Sequence, residues 1–547
     1  MTTSSNAEVD VLVVGAGPSG LATALAVARY GLRVRVVDHK DGPVEQARAT
    51  MVHARTLEYL DHFGLADHAM AQGTPITHVQ VYDQNRGSAE LPLAGRGIEG
   101  RTRFPCALSL PQSKFEATLV TALAEYGVSV DWNTRLEDVT DHGHNVGATV
   151  RRGAQREQVV ARRLVGADGA RSTVRRCLGI AFNGSTYPQI GLLADVALDA
   201  RLPPNRLRLT LTRGGFVGVV PIGDGTYRLF GAVPPGFGPT PSWSETTHDP
   251  YAQLARDRLR KWWREYFQAD GELRDVVWAS LFRFHSCIAD RFSTGNVFLV
   301  GDAAHIHNPA GGQGLNLGVG DATNLAWKLA LVSSGEAKVS ILRSYETERR
   351  RVARTIMHNT DRGFKLELGG NAAVMWIRMR LLRRLVRPLT RLPLVRKIVF
   401  RILSQTWISY RGSPAVAAGP ATGSLRAGDR APHTALATTS GSILDVLRQS
   451  GYQLLMFEGI SPTASLGELG RIGAELPERY LSPVRVHVIP RAETAAHETY
   501  GAHHTRVVLV RPDGHIALIG EPRGPRDIEP LITHLDGILL TRPRVLT

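Results

Sequence analysis

Nowhere does the chain contain an uncharged apolar run of the roughly 18 or more residues needed to cross a bilayer, so no membrane span is expected. Cysteine is scarce as well. Cys106, Cys177 and Cys287 are scattered, odd in number and without metal-ligand spacing, which argues against a disulfide scaffold and a metal site and fits a reducing cytoplasm. With no cysteine beyond Cys287, the rest of the chain has no dithiol chemistry. The stretch Met1 to Asp10 lacks the basic and apolar segments of a secretory signal, so a cytoplasmic location is expected. Acidic side chains are missing from one long stretch: between Gly369 and Gly428 there are eleven Lys or Arg and no Asp or Glu. The formal charge of +15 is therefore local, the remainder carrying 54 basic against 50 acidic residues, and no nucleic-acid partner is expected.

What is present is a chain of 547 residues, 43% hydrophobic and 21% charged, long enough for several domains with substantial cores. The Val-rich run Val9 to Val14, a glycine turn, a helical pattern through Leu21, Leu25 and Ala28 and a second Val-rich run, Val34 to Val37, read as βαβ. The turn Gly15-Ala16-Gly17-Pro18-Ser19-Gly20, with Asp38 ending the second strand, has the spacing of a dinucleotide site. Gly15 makes the turn, Gly17 admits a pyrophosphate, Gly20 lets the helix pack closely, and Asp38 suits a ribose diol. Alone, such a turn could be merely a tight loop.

A second constellation runs from Phe298 through Gly301, Asp302, His305 and His307 to Asn308-Pro309-Ala310-Gly311-Gly312-Gln313-Gly314-Leu315-Asn316, where an apolar strand delivers Asp302 and a glycine turn opens a helix. The helix amides at this turn suit partial negative charge such as that of a reduced flavin pyrimidine; the plain alternative is an ordinary strand-to-helix turn. Between the two lies Val165-Gly166-Ala167-Asp168-Gly169, which on its own could be an Asp helix cap. Short strand patterns replace helical ones over residues 75–104 and 187–284, and Phe216 to Ile222, Gly223-Asp224-Gly225 and Tyr227 to Val233 read as a hairpin. From Asn371 an apolar stripe (Ile377, Leu381, Leu382, Leu385, Val386) alternates with arginines, and Pro388 and Pro393 are expected to interrupt it. A solvated helical linker and a surface helix on an anionic membrane are both open for this stretch.

The order GxGxxG, Asp-Gly, Gly-Asp resembles the class A flavoprotein monooxygenases of the para-hydroxybenzoate hydroxylase fold, over roughly residues 8–412. Gly311 to Asn316, with Ala326-Trp327-Lys328-Leu329 behind it, is similar to the phenol hydroxylase branch, which includes aromatic polyketide hydroxylases. The resemblance implies an α/β chain in which residues 1–74, 105–186 and 285–370 form a Rossmann-like FAD-binding domain. Residues 75–104 and 187–284 would form an inserted, mostly antiparallel substrate sheet, 371–423 a helical linker and 424–547 a thioredoxin-like C-terminal domain. It implies FAD, with Gly15, Gly17, Pro18, Ser19, Gly20 and Asp38 at the adenosine diphosphate half and Asp302 on the ribityl chain. Arg48 and Gln112 would contact FAD from the side, Asp168 would lie near both FAD and the nicotinamide reductant, and Pro309, Gly311, Gly312, Gly314, Leu315 and Asn316 would surround the flavin ring.

The reaction so implied uses NADPH or NADH and dioxygen to hydroxylate a phenolic or polyketide substrate through a flavin C(4a)-hydroperoxide, in a monomer or homodimer. Baeyer-Villiger or epoxidising chemistry on the same scaffold stays open, and a non-catalytic flavin-binding interaction protein is opposed by the intact motifs. No catalytic base is fixed by the family. His305 and His307 are candidates by position, with packed or capping roles equally open. Asp38 stands where many members have Glu, with no change to its fitness for a ribose.

Overall fold

The Val-rich runs Val9–Val14 and Val34–Val37 lie side by side in parallel, buried at the centre of a sheet, as near-continuous apolar strands do. In the computed structural model the described residues are 9–44, 49–83, 88–94, 98, 100–200, 202–212, 215–233, 252–267, 271–308, 310–368, 392–418, 425–438, 441–522 and 525–543. The first sheet runs in the order Ser293–Thr294, Val297–Leu299, Gln155–Gly166, Val9–Val14, Val34–Val37, Val130–Asp131, with Thr134–Asp141 and Val146–Arg152 added antiparallel. Three helices position its loops: α1 (Pro18–Ala28), α2 (Gly314–Ser333) and α3 (Arg343–Leu368). Nearly all of α2 from Asn316 to Leu331 is buried, as expected of a helix wrapped on every side.

A second sheet of eight strands is built around two 19-residue strands, Phe182–Ala200 and Gly271–Ala289, paired antiparallel. The expected hairpin is there: Gly215–Gly223 pairs with Thr226–Val233 across Asp224 (φ 52) and Gly225 (φ 70), the two left-handed residues a tight hairpin turn requires. Alternation sorts its side chains. Val217, Val219 and Leu229 pack against Trp262, Trp263 and Phe267 on one face, while Phe216, Val220, Phe230 and Ala232 occupy the other.

The C-terminal unit is a four-stranded sheet in the order Val484–Ile489, Tyr452–Phe457, Arg506–Val510, Ile516–Gly520, the first pair parallel and the others antiparallel. It is bolted to α2 and α3 by buried charge. Arg511 grips Glu348 through both terminal nitrogens at 2.5 and 3.0 Å and Asp513 at 2.5 Å, while Lys328 reaches Glu348 at 2.8 Å. Ser413 and Asn324 complete the carboxylate's shell. Arg430 to Glu58 and Arg448 to Asp61 tie the same unit to helix Ala54–His62.

Of the basic stretch, residues 369–391 with the stripe from Ile377 to Val386 and Pro388 lie outside the described residues. Pro393 opens the helix Pro393–Leu403 after an extended Leu392, at the first-turn position where its missing N–H costs nothing. Among the described residues no helix is long and apolar enough to cross a membrane, and no group of His, Cys, Asp and Glu could hold a metal ion.

Burial opposes the charge of Glu348, but Arg511 and Lys328 outweigh it and hold the carboxyl down at about 2. A depressed carboxyl stabilises the fold above its unfolded value and loses that contribution as pH falls through the folded value. Arg511→Met is therefore expected to lower stability at neutral pH by about 3–5 kcal/mol. Urea denaturation should show this gap narrowing as pH falls from near 4.5 towards 2.

Candidate functional site

The glycines of the first turn are demanded by different things. A side chain on Gly15 (φ 107) would collide with the Ala167 carbonyl, and one on Gly20 with the Gly15 carbonyl, so both are fixed by the chain's own backbone. At Gly17 a Cβ would meet no protein atom within 4 Å, leaving open space at the head of α1. There α1 begins with Pro18 and without a side-chain cap, so its first amides are unspent. Asp38, buried, accepts the Ala16 N–H at 2.6 Å and the Lys40 N–H at 2.8 Å, fastening the turn to the second strand while keeping lone pairs in reserve.

Beside this turn, Gln112 is held in one orientation. Its Oε1 accepts the Ala49 N–H at 3.2 Å and its Nε2 donates to Glu116 at 2.7 Å, so the remaining amide hydrogen is what it can offer. Arg48 lies outside the described residues, but the chain just after it is anchored. Arg228 donates to the Ala49 carbonyl at 3.1 Å and to Thr50 Oγ1 at 2.5 Å while gripping Asp195 at 2.7 and 2.8 Å.

Asp168 divides its work. Oδ2 accepts the Thr173 and Val174 N–H groups at 2.6 and 3.2 Å, whereas Oδ1 is buried with no partner, and burial raises the carboxyl's pKa. Asp302 sits exposed on the turn Gly301–Ala303.

The second glycine turn, with Gly311 (φ 76) and Gly312 (φ 62), is pinned from behind. Asn316 accepts the His53 N–H at 2.7 Å and donates to the Met51 and Gly312 carbonyls at 2.8 Å each; His53 Nε2 donates to the Gly311 carbonyl at 2.8 Å. Burial holds His53 down at about 4, so it is a neutral donor. Gln405 bonds to both oxygens of Gln313, α2 opens without a side-chain cap, and Leu315 packs partly buried on the core. Pro309 lies outside the described residues.

Each candidate histidine has one bonded ring nitrogen and one that is buried without a partner, Nδ1 in His305 and Nε2 in His307. His305 is buried and its Nε2 meets Asp321 at 2.7 Å, and Arg349 holds the other oxygen of Asp321 at 2.7 Å. His307 bonds through Nδ1 to the Asn308 carbonyl at 2.7 Å, and its Nε2 is buried without a partner.

The inner face of the second sheet meets this turn at Met51, whose Cβ would stand 2.9 Å from a side chain on Gly312 and which packs against the cluster of Ile76, Leu93, Ala107 and Val220, as Leu207 and Phe230 do. The rings of Phe230 and Phe282 occupy the space above Gly218 and Gly191, with Phe216 and Phe284 set edge-on to them. His53, Gln405 and Arg228 escaped the sequence reading. Each is a lone polar residue whose partner is distant in sequence, and the only signal was a polar residue inside an apolar pattern.

Residues 8–360 match the family described as FAD binding domain, and residues 424–539 the one described as aromatic-ring hydroxylase, C-terminal. The chain is 35% identical over 534 residues to the 6-methylpretetramide 4-monooxygenase of Streptomyces rimosus, covering 94% of this chain and 91% of that protein. It is 33% identical over 528 residues to a flavin-dependent monooxygenase of Mycobacteroides abscessus, covering 93% and 97%. Among solved structures it resembles aklavinone-11 hydroxylase in complex with FAD and aklavinone, with TM-score 0.75, 27% identity and coverage of 97% and 99%. The open space at Gly17 and the orphan Oδ1 of Asp168 fit FAD, which brings a pyrophosphate and hydroxyl donors.

A contrast between two glycines tests this fit. Gly17→Val is expected to leave the apoprotein's stability within about 0.5 kcal/mol of wild type while abolishing FAD retention. Gly20→Ala is expected to destabilise the apoprotein itself; thermal melts of both apoproteins and flavin absorbance after reconstitution check this.

Proposed function

The chain belongs to the class A FAD-dependent aromatic-ring monooxygenases, and we propose that it uses NAD(P)H and dioxygen to hydroxylate a polycyclic phenol or aromatic polyketide. The observation that carries this reading is the junction at Met51, where the aromatic-paved inner face of the second sheet meets the Gly311–Gly312 turn. The names of the relatives support the substrate class: 6-methylpretetramide for one, anhydrotetracycline for another from Streptomyces rimosus, and aklavinone for a solved hydroxylase. On this reading residues 1–74, 105–186 and 285–370 carry FAD, residues 75–104 and 187–284 wall the substrate, and the C-terminal unit is structural.

FAD, when bound, would supply the redox chemistry that links nicotinamide oxidation to dioxygen activation. The chain's own residues prepare the place for it. The unspent amides of α1 receive phosphate, those of α2 favour negative charge at the ring, and Asp168 Oδ1 accepts a donor from FAD or the nicotinamide. The phenylalanines of the inner sheet face exclude water around the reacting ring. Asp302 and Arg48 are assigned to FAD by the family pattern. His305, bonded to Asp321 through Nε2, helps hold α2 in place.

One nicotinamide oxidised and one dioxygen consumed per hydroxylation is the expected stoichiometry. Mass spectrometry of product formed under labelled dioxygen should show the label in the new hydroxyl; oxygen drawn from labelled water would overturn the assignment.

A further inference from the structure

His307 Nδ1 lies 2.7 Å from the carbonyl of Asn308. A carbonyl only accepts, so Nδ1 carries the proton and the other nitrogen, Nε2, is a bare acceptor in the neutral ring. Burial, opposed by the Asn308 bond, brings the imidazole down to about 4, so the ring is neutral under working conditions. Nε2 is sealed from solvent and receives no hydrogen bond. It is also the one atom within 4 Å of the point where a side chain on Gly314 would begin, at 3.8 Å. Gly314 has no side chain and α2 starts there, so Nε2 lies beside the first residue of α2 at the second glycine turn. The Nε2 atoms of His53 and His305 are taken by Gly311 and Asp321.

We propose that His307 Nε2 is the hydrogen-bond acceptor for a donor carried in by a ligand, either the imide N–H of the flavin ring or a phenolic O–H of the substrate. This rests on the Gly311–Gly314 turn being the flavin site. The shared chemistry is a neutral N–H or O–H donor, and burying an acceptor without one is costly enough that the site is incomplete until it arrives.

Two substitutions separate holding the loop from reading the ligand. Asparagine sets its amide near Nδ1, so His307→Asn keeps the bond to Asn308 and removes the acceptor. Glutamine reaches the Nε2 position, so His307→Gln keeps an acceptor there. Apoprotein reconstituted with FAD, followed by quenching of flavin fluorescence, forms one arm; titration of anhydrotetracycline into holoenzyme, followed by the flavin absorbance, forms the other. Loss of about tenfold in FAD affinity for His307→Asn, with His307→Gln within about threefold of wild type, assigns the donor to the flavin. The same pattern confined to the anhydrotetracycline arm assigns it to the substrate. Equal affinities for His307→Asn and wild type in both arms, or equal losses for both variants, overturn the proposal. Should His307→Asn fail to fold, His307→Ser takes its place. If anhydrotetracycline leaves the wild-type spectrum unchanged, the tetracyclic substrate class fails and the FAD arm alone decides His307.

Discussion

The distance between α1 and α2 at their first turns governs the whole site. Ser19 on α1 fills the space that side chains on Gly301 and Gly318 would take, so neither position accepts anything larger. One turn of α1 thus lies against both the start of α2 and the turn bearing Asp302. Both helices begin without a side-chain cap, so each carries the positive end of its dipole into the site. A single ligand with negative character in two separated parts is what such a space selects.

Keeping α2 at that distance also requires that it not rotate about its axis. Asp321, Asn324 and Lys328 recur at three and four residues along it, all buried, and meet Arg349 and Glu348 on α3. Buried ion pairs are weak contributors to net stability once desolvation is counted, but a misaligned one is costly, so they specify register. Two cations, Lys328 and Arg511, compete for Glu348, and burial with Arg511 nearby leaves Lys328 held down at about 8. The register of α2, and so the aim of its N-terminus, is set partly by a residue of the C-terminal unit.

Much of this was legible in the sequence because the signals are local. The βαβ start, the hairpin turn at Asp224-Gly225 and the two glycine turns each declare themselves within a few residues. The face that each strand of the inner sheet turns to the site was not legible, since a one-residue change in register reverses it and the pairing partner is far along the chain. His53 was hidden for the same reason: its partners Gly311 and Asn316 lie some 260 residues away. The pairing of His307 with the carbonyl next to it was local, but which nitrogen stays unpaired depends on the fold.

The bond between Glu348 and Arg511 spans 163 positions, and that separation has a meaning during synthesis. A ribosome adding about 5–20 residues per second leaves the first domain waiting on the order of ten seconds or more before Arg511 emerges. Throughout that interval Glu348 lacks its bidentate partner and has only Lys328, Asn324 and Ser413, and the surface of α2 destined for the C-terminal sheet is open to water and to other chains. The nascent protein is thus most exposed to chaperones and proteases late in its translation, and a message truncated in its last fifth would yield a chain that holds every cofactor motif yet never closes.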